Sequence, residues 1–233
     1  MYAFGRDMEA NTIKEYSSSS IVDGIIMMKS EVNDPIIKHL QQIQFPFVVI
    51  GRLEESNSGL WVDNDNVGIT YKIVEELIKR GHEKIALIGA KENWTVSKDR
   101  LEGYKKALEA YNISYNSALV YHGMAFTEET GYEAMRKHII DEIPTAIVTT
   151  DDLIAVGVNR YLNEMNIVGK AVIGFNNTAI ANYQKPTLTS VEINGIQLGY
   201  EATKLIVSFL EKGNIKQPYK IVEATLVRRN SYK

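Results

Sequence analysis

The sequence predicts an α/β fold built on parallel sheets, and three observations carry that reading. Short, mostly β-branched apolar runs recur along the chain, each bounded by Gly, Pro or polar residues. Longer stretches between them return their apolar residues at helical spacing. The runs read as buried strands, and buried strands that alternate with helices belong to parallel sheets covered by helices. At 233 residues the chain holds one to two domains of ~150 residues each, or one fold with two lobes.

The elements follow in order. Extended runs are expected at 22–28 (VDGIIMM) and 47–50 (FVVI). A helix is expected over 67–80, where Ile69, Ile73, Val74, Leu77 and Ile78 share a face; Lys79 and Arg80 fill its last turn and Gly81 stops it. A strand at 85–89 leads to a helix over 98–111 with Leu101, Tyr104, Ala107, Leu108 and Tyr111 on one side. The alternation continues with a strand at 118–122, a helix at 130–140, a strand at 146–150 and a helix at 153–165. Strands at 171–175 and 188–193, a helix at 195–210 and an extended run at 219–227 complete it. The serine run 17–20 reads as a frayed helix end or loop.

Composition narrows the function. Apolar residues make up 45% and charged residues 24%, which excludes disordered and fibrous classes. The net charge is 26 − 29 = −3, so no strongly basic nucleic-acid surface shows in the total. There are no cysteines, which removes disulfide scaffolds, thiolate metal sites and cysteine nucleophiles. No apolar run approaches the ~18 residues of a membrane span, and MYAFGRDMEANT lacks the pattern of a secretion signal. A cytoplasmic protein without membrane contact is expected. Three Asn-x-Ser/Thr sequences, at Asn93, Asn112 and Asn176, are read as chance matches.

Enzyme signatures are absent: no phosphate-binding G-x-x-x-x-G-K-[ST], no G-x-G-x-x-G, no G-x-S-x-G and no H-E-x-x-H. His39, His82, His122 and His138 have no metal-ligand spacing, so no metal and no cofactor is expected. Asp151 and Asp152 are adjacent and point in different directions, which does not suit a shared-proton pair; a helix N-cap does.

Open parallel sheets bind ligands beyond the carboxyl ends of their strands. Residues there are Asn93, Trp94, Ser97 and Arg100; then Phe126; then Asp151 and Asp152; then Asn176 and Asn177. Arg donates in a fixed fork, Asp accepts from paired hydroxyls, Asn does both, and an aromatic covers the apolar face of a sugar ring. The set suits a polyhydroxyl ligand. Arg100 is placed on the polar side of its helix. Helix capping for Asp151 and Asn176 and surface placement for Arg100 are the structural alternatives.

The order of segments resembles the effector-binding region of the LacI/GalR family of bacterial transcription regulators. The stretches that carry it are VDGIIMM at 22–28, FPFVVIGR at 45–52, VDNDN at 62–66 and LIKRGHEKIALIG at 77–89. They continue with RLEGYKKAL at 100–108, PTAIVTTDDLIAVGV at 144–158, VIGFNNT at 172–178 and PTLTSVEINGIQLGYEA at 186–202. The resemblance runs from about residue 21 to the end.

It implies two Rossmann-like lobes of the type I periplasmic-binding-protein kind, one of 1–79 plus 194–213 and the other of 81–188 plus 219–233. It implies an effector site in which Arg100 grips the ligand, Phe126 stacks on it, and Asp151 lines the cleft. Asn176 stands where the family usually has Asp, and Asp65 belongs to a motif that reaches the cleft from the other lobe. Trp94 has no fixed counterpart; roofing the ligand and packing are both open to it. The partners implied are a small-molecule effector, a sugar, and a second copy of the chain; Phe45–Ile50 with Ile36, Ile37 and Leu40 is read as apolar surface for that homodimer.

The TTDDLIAVGV and VEINGIQLGYEA stretches look closest to the maltose-operon repressor branch, which makes maltose or a related α-glucoside the expected effector; nucleobases are the alternative effector class in the family, and a phosphocarrier protein corepressor is a further one. The family's helix-turn-helix, its hinge helix and one βα unit of roughly 30–40 residues are not found, so operator DNA is expected to be met through an N-terminal domain outside this chain. In that comparison 1–4 resembles a second strand and 7–20 a second helix. The alternative function is a sugar-binding protein of a transport system; an enzyme is not expected.

Overall fold

A computed structural model describes residues 6–19, 21–53, 59–138 and 143–232. In chain order its elements are α1 (Arg6–Ser18), β1 (Ile25–Met27), α2 (Pro35–Gln42), β2 (Phe47–Ile50), β3 (Leu60–Asn64), α3 (Asn66–Lys79) and β4 (Ile85–Gly89). There follow α4 (Thr95–Ala110), β5 (Val120–His122), α5 (Glu128–Glu133) with a π turn at Ala134–His138, β6 (Ala146–Thr149), α6 (Asp152–Glu164) and β7 (Ala171–Phe175). The last are β8 (Thr189–Glu192), α7 (Gly195–Lys212), β9 (Tyr219–Val222) and β10 (Thr225–Val227). The strand read at 1–4 lies outside the described residues, as do 139 and 140 of the helix expected over 130–140.

The chain forms two compact units, Met1–Asp63 with Ile196–Val222, and Asn64–Gly195 with Glu223–Lys233. The first holds a sheet in the order β1-β2-β3-β9, in which β1, β2 and β3 run parallel. Its core joins Ile13, Met27, Ile36, Ile37, Leu40, Phe47, Val49, Leu53 and Trp61. Asp34 caps α2, its carboxylate accepting from the Ile36 amide at 2.8 Å, and Pro35 opens the helix with the φ it needs. That capping turns Ile36, Ile37 and Leu40 into the sheet. Ile36, Ile37, Leu40, Phe47, Val48 and Val49 are therefore core residues and supply no apolar surface for a second copy, contrary to the sequence reading. The large apolar side chains this unit exposes are others, among them Ile21, Met28 and Ile196. Gly24 lets Ile206 of α7 approach the sheet, since a Cβ there would meet the Ile206 side chain.

The second unit carries a sheet in the order β10-β8-β7-β6-β4-β5, parallel from β5 to β8 with β10 antiparallel on the edge. Strand parity splits its core. Ile85, Leu87, Val120, Val148 and Ile173 face α3 and α4 with Ile73, Leu77, Tyr104 and Leu108; Ala86, Ile88, Ile147 and Val172 face α5 and α6 with Met135, Ile154 and Val158. Helix α3 groups with this unit, so the division falls at Asp63–Asn64 and not at the 79–81 read from the sequence. The cause is Gly103 of α4: its bare Cα admits the Val67 carbonyl and Thr70, so α3 lies directly along α4. The run expected at 219–227 is likewise broken, into β9 in the first unit and β10 in the second.

Candidate functional site

In the second unit β5 lies on one side of β4 and β6 on the other, so the chain reverses direction across the sheet at β4. The crevice at such a switch point, outside the carboxyl ends of the strands, is where open α/β sheets take ligands. Arg100 spans it. Its helix α4 follows β4, and its Nη1 donates to the carbonyl of Thr150, just past β6, at 2.6 Å. Its Nε donates to Asn66 Oδ1 at 2.9 Å, and its guanidinium lies 3.8 Å from the centre of the Phe175 ring.

Arg100 is 4% exposed, so the expected place on the polar side of the helix is corrected. The buried stripe of α4 runs through Ser97, Arg100, Tyr104 and Ala107, in phase with the sheet. Leu101, taken as the core position, is only half-buried.

Asp151 caps α6, one oxygen accepting from the Leu153 amide at 2.7 Å. The other accepts from Asn176 Nδ2 at 2.6 Å. Burial pushes the Asp151 carboxyl up to about 6, and the neighbouring charge of Asp152 adds to the rise. The Leu153 amide, Arg100 and Asn176 pull the other way. Asp152, 1% exposed, is also raised by burial. It accepts from the Ser190 hydroxyl (2.6 Å), the Thr178 hydroxyl (2.8 Å) and the Thr178 amide (2.7 Å), fixing the turn after β7. That turn is held left-handed, with φ +91° at Asn176 and +45° at Asn177, a conformation Asn tolerates better than most residues.

Trp94 and Phe126 meet each other, with ring centroids 4.9 Å apart and a tilt of 52°. Both are half-buried. Asp65 is exposed and caps α3 through the Gly68 amide at 2.8 Å; its neighbour Asn66 is the residue that reaches Arg100. The structure thus joins Arg100, Asp151 and Asn176 in one cluster and Trp94 with Phe126 in another, and leaves Asp65 a helix cap.

Asn66, Thr150 and Phe175, which hold Arg100, were not singled out by the sequence. Three buried polar atoms at this edge have no partner among the described residues: Ser97 Oγ, His122 Nε2 and Thr150 Oγ1. His122 and Thr150 sit on either side of Gly89, on the face covered by α4. Among the described residues no group of His, Asp and Glu could hold a metal ion, and no helix is long and apolar enough to cross a membrane.

Residues 74–232 match the family described as periplasmic binding protein-like domain, which defines the class to which this fold belongs. The HTH-type transcriptional regulator MalR of Streptococcus pneumoniae is 33% identical over 220 residues, covering 92% of this chain and 65% of that protein. A solved structure assigned as a transcriptional regulator LacI from Bacillus cereus subsp. cytotoxis superposes with a TM-score of 0.95 at 31% identity, covering all of this chain and 84% of that one. The chain belongs to the LacI family of transcriptional regulators. A transcriptional regulator CelR–cellobiose complex superposes with a TM-score of 0.88 at 27% identity, over 97% of this chain and 71% of that one. The chain spans about 65% of the length of the curated relative MalR.

Proposed function

We propose that this chain is the effector-binding and dimerisation module of a transcriptional repressor, and that its effector is a sugar held at the carboxyl edge of the second unit's sheet. The observation that carries the reading is the convergence of Arg100, Asp151 and Asn176 at the switch point. A buried fork of donors, a carboxylate and an amide face one another there, beside three polar atoms with spare hydrogen-bonding capacity. A sugar supplies hydroxyls that both donate and accept, which is what such a mixed set satisfies. Trp94 and Phe126 offer the ring faces on which a pyranose stacks. The cellobiose recorded with the structural neighbour CelR is a disaccharide of the same chemical class as the effector proposed here.

Maltose or a related α-glucoside is the effector we assign first, on the resemblance of 149–158 and 191–202. Sugar occupancy acts by favouring one arrangement of the protein over another, and is passed to DNA by a second copy of the chain and an N-terminal operator-reading domain. Calorimetry of this chain with maltose, cellobiose, glucose and a nucleobase tests the reading. Saturable heat with an α-glucoside supports it; heat with the nucleobase alone replaces the effector class. Turnover of any of these sugars would make the chain an enzyme instead.

A further inference from the structure

The chain passes between its two units three times, at 63–64, 195–196 and 222–223. On the second unit's side these passages are braced to one another. Asn64 Nδ2 donates to the Ile193 carbonyl at 3.0 Å, tying the first passage to the second. Asn194 Nδ2 donates to the Glu223 carbonyl at 2.8 Å, tying the second to the third. Asn194 is itself left-handed, with φ +54°, a conformation that Asn tolerates better than most residues and that its surroundings must still hold.

Glu192 supplies that hold. One carboxylate oxygen accepts from the Asn194 amide at 2.7 Å. The other accepts from Asn177 Nδ2 at 2.9 Å. Asn177 is the residue after Asn176 in the left-handed turn at the candidate site, and its other amide atom is fixed by Arg229 Nη2 at 2.7 Å. A single carboxylate therefore connects the turn that presents Asn176 to the brace that joins the chain passages.

We infer that Glu192 is a positioning residue, which passes a displacement of the Asn176–Asn177 turn to Asn194 and on to the Glu223 strand end. The inference rests on the sugar site proposed above only for what moves the turn. The link itself is a property of four side-chain contacts: Asn177 to Glu192, Glu192 to Asn194, Asn194 to Glu223 and Arg229 to Asn177. The two carboxylate oxygens are both needed. In Glu192→Gln one of the two oxygens becomes an NH2 donor, which faces one of the two N–H groups and cannot accept from it.

Amide exchange of this chain, followed residue by residue by NMR, tests the link in two arms. Without ligand, Asn177→Ala should speed exchange of the Asn194 amide by about fivefold, the factor one net hydrogen bond is worth. In the Glu192→Gln background the same substitution should leave Asn194 unchanged. With maltose added, the amides of Asn177, Asn194 and 223–225 should all respond in the natural sequence, whereas in Glu192→Gln only Asn177 should. Asn194→Gly keeps the left-handed backbone and should lose only the response at 223–225. If Asn194 answers to Asn177→Ala equally with and without the Glu192 carboxylate, the inference is overturned. If no amide answers to maltose or to the other sugars while the first arm holds, the sugar assignment fails and the link stands.

Discussion

Arg100 combines two roles that pull its variants apart. Part of its fork holds the Thr150 carbonyl and Asn66, so Arg100→Ala should lower stability by about 2–3 kcal/mol as well as weaken sugar binding, as a denaturation curve and a titration would show. Arg100→Lys keeps the charge but not the planar fork or its stacking on Phe175, and should recover little of either. Asp151 behaves differently. Its folded value of about 6 lies above the ordinary 3.8, so its contribution to stability is full below about pH 3.8 and is lost as pH rises through 6. Between pH 7 and pH 5 the natural protein should gain roughly 1 kcal/mol relative to Asp151→Asn. Sugar affinity should fall over the same interval, because a protonated carboxyl accepts less well. Opposite slopes in the two titrations are the signature; parallel slopes would place Asp151 outside the site. Arg100, Asp151 and Asn176 were legible because strand ends can be found in a sequence and polar residues just past them stand out. Asn66, Thr150 and Phe175 were not, because only the packing of α3 and β7 against α4 gives them a task.

Helix contacts set the sign of glycine substitutions. Gly157 of α6 lies against the backbone of α5, where a Cβ would meet the Glu128 carbonyl and the Tyr132 amide. Gly157→Ala should destabilise by about 1–3 kcal/mol through overpacking, despite alanine's better helix propensity. Gly199 of α7 has nothing within 4 Å of the same point. There Gly199→Ala should stabilise by about 0.5–1 kcal/mol, read from the same denaturant series. The long elements were legible in the sequence, since α3, α4, α6 and α7 each show two or more turns of apolar period. Helix α2 was missed because eight residues give little period to read, and β3 because Trp61, Asp63 and Asn64 disguise a strand buried throughout. The helix read at 130–140 is α5 followed by a π turn at Ala134–His138, a change of pitch that periodicity does not reveal.

At the scale of the whole molecule the class of fold was legible and the limits of its units were not, because residue 64 onward is claimed by the second unit through helix packing that no local pattern records. Sedimentation tests the proposed self-association: a dimer is expected at micromolar concentration, and a monomer throughout the range would remove that partner. The order of the first sheet also bears on how the protein is made. Strand β3 has β9 as its neighbour, and Trp61 stacks on Tyr219 with ring centroids 4.7 Å apart. The two are separated by 219 − 61 = 158 residues of chain, nearly all of the second unit. A ribosome adding about 5–20 residues per second leaves that strand edge and its tryptophan bare for roughly eight to thirty seconds. During synthesis the parallel strands β4 to β8 can pair while β3 still lacks β9, so this stretch of the nascent chain is most exposed to sticking and to chaperone capture on its first unit.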